Sequence, residues 1–330
     1  MAGELSLTRQ YNYIYSIMRD EVEPILWDNV STRTSLLYRM KELGAIIKTG
    51  GKPHLRFTIL KELPTAVAYT DLDTITPVRC SPFTSAVYNW KQIEVPVQVS
   101  GLDMIKTGDD GIEDLLGDLI ETAEIAMRDG IGGSTIGIYS DGDEDTLTKL
   151  SGLANHFTSS TTTGTVGGLS RATLAKWRHQ SQNVSSAFDT NGLNRMTTLF
   201  RECSRYDETP DTIVLTGAAW DNYLKETTRT FQTNQPHAAD SGMVVDALYP
   251  NIRFGNALII YDDGCPANYG YFLNLRKFIR LFVREGRDAE LGDFIKSKDK
   301  DDLVSFILWA GNLINTNLAR GGVLLNADTY

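Results

Sequence analysis

The stretch that decides the fold is residues 251–283, which read NIRFGNALIIYDDGCPANYGYFLNLRKFIRLFV. A β-rich run at 257–261 leads into the turn cluster DDGCP at 262–266, and a second strand-like run covers 271–283. Because Gly and Pro separate two β-rich runs, this pattern predicts a hairpin or meander. We therefore expect neighbouring strands in this part of the chain.

The bulk properties are those of an ordinary globular protein. The chain has 330 residues, 42% of them hydrophobic and 22% charged, enough for one large domain or two to three small ones. Its net charge of −10 argues against a nucleic-acid-binding protein, because non-specific binding needs cationic side chains that neutralise phosphates. No run approaches the roughly 18 apolar residues of a membrane span, and the first 15 residues lack a signal-peptide pattern. We expect synthesis in the cytoplasm and no membrane partner.

The residue types that carry catalysis or bind metals form no recognisable pattern. Three widely spaced cysteines predict reduced, mostly buried thiols: Cys80, Cys203 and Cys265. Four histidines lack metal-ligand spacing: His54, His156, His179 and His237. His179 follows Trp177 and Arg178, which favours a packed surface over a general base. There is no G-x-S-x-G elbow. We predict no catalytic, cofactor-binding or metal-binding residues, no cofactor and no enzymatic activity.

Two local motifs come close to ligand-binding loops and fail. Asp141, Asp143 and Asp145 begin like a calcium loop, but Thr146 stands where a Gly is needed and Gly152 where a bidentate Glu belongs. The sequence predicts a solvated acidic turn. The run GIGGST at 130–135 lacks the lysine of a phosphate-binding loop and follows a helix.

Two segments with a period of two predict a ribbon. Apolar and polar residues alternate at 55–59 and again at 92–99, on either side of a Thr-, Asp- and Pro-rich excursion at 65–87. The pattern predicts a long two-stranded arm with an open tip. Pro96 restricts its strand to a sheet edge or a bulge. Since an isolated ribbon is marginally stable in water, the arm predicts a partner surface.

Helical periodicity is clearest at 111–129, where an apolar stripe follows an acidic first turn and Gly130 ends the helix. Other elements are predicted as helices at 36–43 (ended by Gly44), 193–203 and 218–228, a strand at 212–215, and a β pair at 303–309 and 313–318. This mixture predicts an α+β protein. The first fifty residues fit either a subdomain with its own core or an arm on a neighbouring subunit.

Several short segments, taken in order, resemble the major capsid proteins of tailed bacteriophages. The resemblance covers nearly the whole chain and depends on order and spacing, because each motif alone is weak. The segments are AVYNWKQ at 86–92, SGL at 100–102, YSDG at 139–142, SGL at 151–153, PD at 210–211, WDNY at 220–223, YDDGCP at 261–266, YFLN at 271–274, WAGN at 309–312 and RGGVL at 320–324.

The resemblance implies a tailed-phage major capsid fold in five parts. These are an N-terminal arm at 1–50, an extended β-ribbon E-loop at 51–105, a peripheral domain at 106–187 with a long spine helix at about 109–130, an axial domain at 188–291, and closing strands of the peripheral domain at 292–330. In this scheme, YSDG and SGL at 151–153 resemble strands of the peripheral domain.

The function that the resemblance implies is structural: the chain is a building block of a closed shell. Subunits form hexamers and pentamers of an icosahedral head, assembled in the host bacterial cytoplasm and found in the virion. Partners are other copies of the chain, portal and decoration proteins, and packaged double-stranded DNA bound without sequence specificity. A separate scaffolding protein is also implied, because the chain has no room for the N-terminal scaffolding segment of some relatives. Two alternatives stay open: an encapsulin-like nanocompartment shell and a cytosolic enzyme of unrecognised type.

Two further hypotheses concern specific side chains. Some relatives link a lysine of the ribbon to an asparagine of a neighbour, and Lys61, Lys91, Asn312, Asn315 and Asn317 supply those residue types. The link also needs a carboxylate base in a desolvated pocket. Separately, three arginines recur every four residues beside Lys277: Arg276, Arg280 and Arg284. They fit either a cationic strip that faces DNA or an acidic subunit, or a solvated face.

Overall fold

The structure, a computed structural model, describes residues 35–71, 80–185, 187–234, 252–296, 298 and 300–330. For 103–115 and 228–234 it describes the backbone alone. Most of the predicted N-terminal arm and the segment 72–79 of the predicted ribbon therefore lie outside the described residues.

The described residues contain five α-helices and fifteen strands. The helices are α1 Ser35–Glu42, α2 Gly101–Gly132, α3 Leu153–His156, α4 Phe188–Cys203 and α5 Gly217–Asn234. Short 3-10 turns lie at Ala175–Trp177 and Leu318–Arg320. The strands are β1 Ile46–Thr49, β2 Leu55–Leu60, β3 Phe83–Tyr88, β4 Lys91–Ser100, β5 Thr165–Val166, β6 Leu169–Ser170, β7 Gln180–Asn183, β8 Thr212–Leu215, β9 Arg253–Phe254, β10 Ala257–Tyr261, β11 Tyr269–Leu273, β12 Ile279–Leu291, β13 Ile295–Lys296, β14 Asp302–Asn315 and β15 Gly322–Leu325.

The strands form two large sheets and two small hairpins. In the five-stranded sheet the order is β1-β12-β14-β13, with β4 also paired to β14. In the six-stranded sheet the order is β7-β15-β11-β8-β10-β9. The hairpins are β2–β3 and β5–β6. This mixed architecture confirms the α+β prediction.

The six-stranded sheet is covered on both faces. Ile213 and Leu215 of β8 pack in one apolar cluster with Met196 and Leu199 of α4. Val214, on the opposite face of the same strand, belongs to the main core. Because side chains alternate across a strand, the four inner strands, β8, β10, β11 and β15, each contribute to two cores at once. All four residues of β8 are accordingly buried.

The long helix α2 begins and ends with recognisable signals. The Ser100 hydroxyl accepts a hydrogen bond from the Leu102 amide at 3.2 Å, which caps the first turn. The helix spans 32 residues, a rise of about 48 Å at 1.5 Å per residue. Among its described side chains, the buried apolar residues recur at helical spacing: Leu116, Ile120, Ala123, Met127 and Ile131. The helix predicted at 111–129 therefore exists and starts ten residues earlier.

The shorter helices and one strand match their predictions in position. Helix α1 ends at Glu42, and Gly44 has the positive φ of 66° that the predicted C-cap requires. The predicted strand at 212–215 is β8. Helix α4 starts five residues before its predicted beginning at 193. Helix α5 extends from Gly217 to Asn234, beyond the predicted end at 228.

The hairpin or meander predicted for 251–283 is wrong. Strands β10 and β11 do not pair with each other, because β8 lies between them, parallel to β10 and antiparallel to β11. The second run is also two strands, β11 and β12, which belong to different sheets. Strand β8, more than 40 residues earlier in the chain, thus occupies the position between them, where the sequence predicted direct pairing.

Three other local predictions are corrected by the topology. The strand at 93–99 does not form the ribbon with 55–59; β2 pairs with β3, and β4 pairs with β14. The two terminal strands predicted around Gly311 are one continuous strand, β14. Residues 139–142 and 151–153 contain no strand. Pro96 lies on β4, which has β14 as its one described neighbour, so the predicted edge position is confirmed.

Candidate assembly surfaces

The ribbon and the segment that follows it carry an exposed apolar surface. Every residue from 61 to 70 is exposed and none lies in a helix or strand. The ribbon surface, as we call it, comprises five large apolar side chains: Leu60, Leu63, Val67, Tyr69 and Phe83, exposed by 43%, 57%, 78%, 69% and 66%. Large apolar side chains exposed together along one segment are typical of protein–protein contacts.

The base of the ribbon is anchored in the core. Phe57 of β2 lies with its ring centroid 5.5 Å from that of Phe282 on β12. Tyr88 of β3 is buried, and its hydroxyl donates to the Asn315 carbonyl at 2.7 Å. The β5–β6 hairpin adds a further contact, since the Val87 amide donates to the Gly167 carbonyl at 3.0 Å. The base of the ribbon is therefore fixed to the core, whereas the described residues beyond it, 61–71, are exposed.

Gly167 is required at this contact for two reasons. Its φ of 60° lies in the left-handed region, and a Cβ there would stand 2.8 Å from the Cβ of Ala86. Such an approach is closer than real Cβ atoms show, so the hairpin can pack on the ribbon because this residue has no side chain.

The acidic turn at 141–146 encloses a lysine ammonium of the chain itself. Lys91 is 1% exposed, and its Nζ donates to the carbonyl oxygens of Asp143, Glu144 and Thr146 at 2.9, 3.2 and 2.6 Å. Burial lowers the pKa of Lys91, against the opposing effect of nearby Glu144. The failed calcium-loop motif is thus a turn closed by an internal cation.

A buried polar network continues from this turn to β14. Glu144 accepts the Asn89 amide at 2.7 Å, and burial raises the pKa of that carboxyl. The Asn312 side chain donates to the Asn89 carbonyl at 2.8 Å and accepts from the Ser151 amide at 2.9 Å. The network joins the ends of the ribbon to the five-stranded sheet.

The residues considered for a cross-link are mostly unsuited to one. Lys91 is buried with its three N–H donors engaged, and Asn312 and Asn315 are both fully buried. Asn317 is half-buried, and Lys61 is exposed at the start of the extended segment. Of the predicted lysines, Lys61 alone has the exposure that an intersubunit reaction needs.

A second buried cluster centres on Arg171, which is 0% exposed. Its guanidinium donates to the carbonyl of Asn155 at 2.9 Å and to Nδ1 of His179 at 3.0 Å. His179 in turn donates from Nε2 to the Thr158 carbonyl at 2.8 Å, so the imidazole is neutral. No carboxylate pairs with Arg171 within the described part of the chain. This cluster fixes the loop between α3 and β7.

His156 also belongs to this cluster, since its carbonyl accepts from the Arg171 guanidinium at 3.4 Å, and burial shifts the pKa of all three titratable side chains downward. It lowers the pKa of Arg171 to about 10, that of His179 to about 4, and that of His156 to about 3. The Arg171 charge depresses both histidines further. The expectation that His179 lies on a packed surface is wrong, because it is 1% exposed.

The predicted arginine strip is divided between two places. Arg280 and Arg284 lie on β12, whereas Arg276 and Lys277 lie in the turn between β11 and β12. Lys277 pairs with Asp207 at 3.3 Å. The strip as predicted from the spacing is therefore wrong, and Arg276 joins a different set of cations, described below.

Catalytic and metal-binding chemistry has no candidate centre among the residues that the structure describes. No group of three or more His, Cys, Asp or Glu side chains converges there. Cys203 and Cys265 are buried and Cys80 is half-buried, all three as free thiols, as predicted. None of the described helices is both long and apolar enough to cross a lipid bilayer.

The architecture is shared with capsid proteins of known structure. In the cyanophage A-1(L) capsid, the similar chain is 15% identical with a TM-score of 0.64, over 88% of this chain and 93% of that one. The similar chain in the capsid of the native GTA particle is 10% identical with a TM-score of 0.54, over 87% of this chain and 89% of that one. The similar chain of Mycobacterium phage Ogopogo is 12% identical with a TM-score of 0.54, over 87% of this chain and 91% of that one.

Sequence comparison alone finds no such likeness: neither a family model nor a curated protein matches the chain. At these low identities the structural similarity establishes the fold. The chain has the major capsid fold of tailed phages, as its sequence pattern predicted.

Proposed function

We propose that the chain is a major capsid protein, the structural subunit of an icosahedral phage head that encloses double-stranded DNA. The observation that carries this proposal is the ribbon surface: a hairpin anchored at its base, with exposed apolar side chains at its upper pair and along the segment that follows it. Burying that surface against a second copy contributes about 25 cal/mol per Å² of apolar area. Fold alone does not decide function, and the ribbon surface gives the fold a role.

The contact between subunits is heterologous in this proposal. The ribbon of one copy lies on a different surface of the next, and such head-to-tail contacts close into rings of five and six. Function then depends on many modest contacts rather than on a catalytic step. The exposed segment at 61–71 gains its binding partner on assembly, so its ordering and assembly are coupled.

The division of the chain follows the same proposal. We assign 1–50 to an arm on neighbouring subunits, 51–105 to the E-loop, 106–187 and 292–330 to the peripheral domain, and 188–291 to the axial domain. Further partners are a separate scaffolding protein, a portal, decoration proteins and packaged DNA. The mature protein belongs to the virion.

Electron microscopy of the purified chain tests the proposal. The chain is expressed alone and then with candidate scaffolding proteins of the same phage. Closed shells, or rings of five and six subunits, are the expected result. A homogeneous monomer or dimer under every condition would refute it, and shells that form around a protein cargo and exclude DNA would indicate a nanocompartment instead.

A further inference from the structure

Four cationic side chains from distant parts of the sequence converge on one cavity. The cavity has a volume of about 320 Å³ and lies where β8 and β10 begin and β11 ends. The cations are Arg39 of α1, Arg253 of β9, and Arg276 and Lys277 of the turn after β11. These four cations lie together although the chain as a whole carries a net charge of −10.

The floor of this cavity is held in a fixed conformation. Asp211 accepts the backbone amides of Leu275 and Arg276 at 3.2 and 2.9 Å. Asn274 is 5% exposed; its side chain donates to the Thr209 carbonyl at 2.8 Å and accepts the Lys277 amide at 3.0 Å. The turn that carries two of the cations is therefore fixed before any ligand arrives.

The charges of the cavity do not cancel internally. Two carboxylates line it, those of Asp207 and Asp211, against four cations. Asp207 pairs with Lys277, and Asp211 is occupied by backbone donors. Arg253 and Arg276 are exposed and have no ion pair with any residue that the structure describes.

Arg39 gives a second, independent indication. One of its terminal nitrogens pairs with Glu42, outside the cavity lining. Its Nε is buried and has no hydrogen-bond partner among the described atoms. A buried donor without a partner costs free energy, and Arg39 is one of the residues that line the cavity.

We propose that this cavity binds a phosphate group. Guanidinium groups match the geometry of phosphate oxygens and form charge-assisted hydrogen bonds with them. Three separate elements present cations around the cavity, which suits the tetrahedral arrangement of phosphate oxygens better than the two coplanar oxygens of a carboxylate. The phosphate is either a free anion or a group of a nucleic-acid backbone. This inference is independent of the assembly proposed above.

Calorimetric titration of the full chain with inorganic phosphate tests the inference. The double variant Arg253→Gln/Arg276→Gln removes two exposed, unpaired cations, so folding should be unaffected. The matched control, Arg201→Gln/Arg284→Gln, removes two exposed arginines outside the cavity. We expect the first variant to weaken phosphate binding by at least about tenfold and the control to leave it nearly unchanged. No binding by the wild type, or equal losses in both variants, would overturn the proposal.

A second titration with a short DNA duplex, followed by fluorescence anisotropy, identifies the source of the phosphate. If the cavity variant weakens duplex binding more than the control does, the site takes phosphates of nucleic acid. If both variants bind the duplex alike while phosphate binding still differs, the site takes a free anion. Binding of an acidic peptide but not of phosphate would count against the proposal.

Discussion

The six-stranded sheet and the ribbon differ in how they acquire stability. The sheet is covered on both faces, and its central strand β8 is buried along its whole length. The ribbon is buried at its base and presents Val67 and Tyr69, 78% and 69% exposed, at its free end. The sheet is covered within one chain, whereas the ribbon surface is exposed and, in the proposed assembly, is buried by another molecule. Substitutions should therefore affect folding in the first region and assembly in the second.

The sharpest test of this contrast is the same substitution in both regions. Phe272→Ala, in the six-stranded sheet, removes a fully buried ring and should lower the free energy of unfolding by about 3–5 kcal/mol. Phe83→Ala, on the ribbon surface, should change it by less than about 0.5 kcal/mol. Chemical denaturation of unassembled subunits measures both. Comparable losses would mean that the ribbon surface is packed within the monomer.

The next largest effect is expected at Lys91, whose ammonium is enclosed by the turn at 141–146. Lys91→Met leaves three backbone carbonyls without their donor and should cost about 2–3 kcal/mol of unfolding free energy. The control is Lys149→Met, three residues after the turn, whose ammonium pairs with the exposed Asp141 and should contribute under about 1 kcal/mol. If both variants unfold alike, the internal ammonium has no special role.

The buried histidines predict a loss of stability in mild acid. The folded-state pKa of His179, about 4, lies below its usual 6.5, so the unfolded chain binds the proton first as the pH falls. Its contribution is present above pH 6.5 and is lost on acidification toward pH 4. Between pH 6.5 and 4.5 we expect a loss of about 2 kcal/mol from this residue.

Denaturation of the wild type and of His179→Gln at several pH values measures this effect. The variant should show a flatter pH dependence, because glutamine can donate and accept without titrating. Glu144 and Asp262, whose pKa values burial raises, act in the opposite direction in both proteins and cancel in the comparison. Identical pH profiles would exclude His179 as a contributor.

The substitution with the smallest expected effect on the unfolding free energy of the monomer should have the largest effect on assembly. Val67→Ser/Tyr69→Ser should leave the unfolding free energy within about 0.5 kcal/mol of the wild type. Shell yield, measured by sedimentation and electron microscopy, should fall at least about tenfold if those side chains fill a pocket on a neighbour. Leu147→Ser/Tyr206→Ser, at two other exposed apolar positions, is the matched control. Normal shells from the ribbon variant would contradict the proposed contact.

Local patterns predicted what depends on neighbours in sequence. Gly44 marked the end of α1, the alternation at 92–99 gave β4, and the apolar stripe gave α2. The pairing of strands could not be predicted in this way, because β8, more than 40 residues earlier in the chain, lies between β10 and β11. The turn at 262–266 does form, since the Cys265 amide donates to the Asp262 carbonyl at 3.1 Å, but the strands on either side of it pair with β8. The Asp262 carboxylate also accepts the amide of Leu36 at the start of α1, at 3.0 Å.

The internal cations were beyond sequence reasoning for a related reason. Lys91 and the turn at 141–146 are more than fifty residues apart, and a lysine in an alternating segment is normally a surface residue. Arg39, Arg253 and Arg276 are likewise separated, so no spacing rule connects them. The resemblance to capsid proteins supplied the order of the elements, but it could not supply these contacts.

The three thiols differ in exposure, so a label on the native chain can report on the ribbon. Cys80 lies beside the free end of the ribbon, where the Ser81 amide donates to Glu62 at 3.3 Å across the two strand extensions. Cys203 and Cys265 are buried in the native chain. A thiol-reactive dye applied under native conditions therefore labels the ribbon selectively. Its fluorescence can follow docking in real time without any engineered residue.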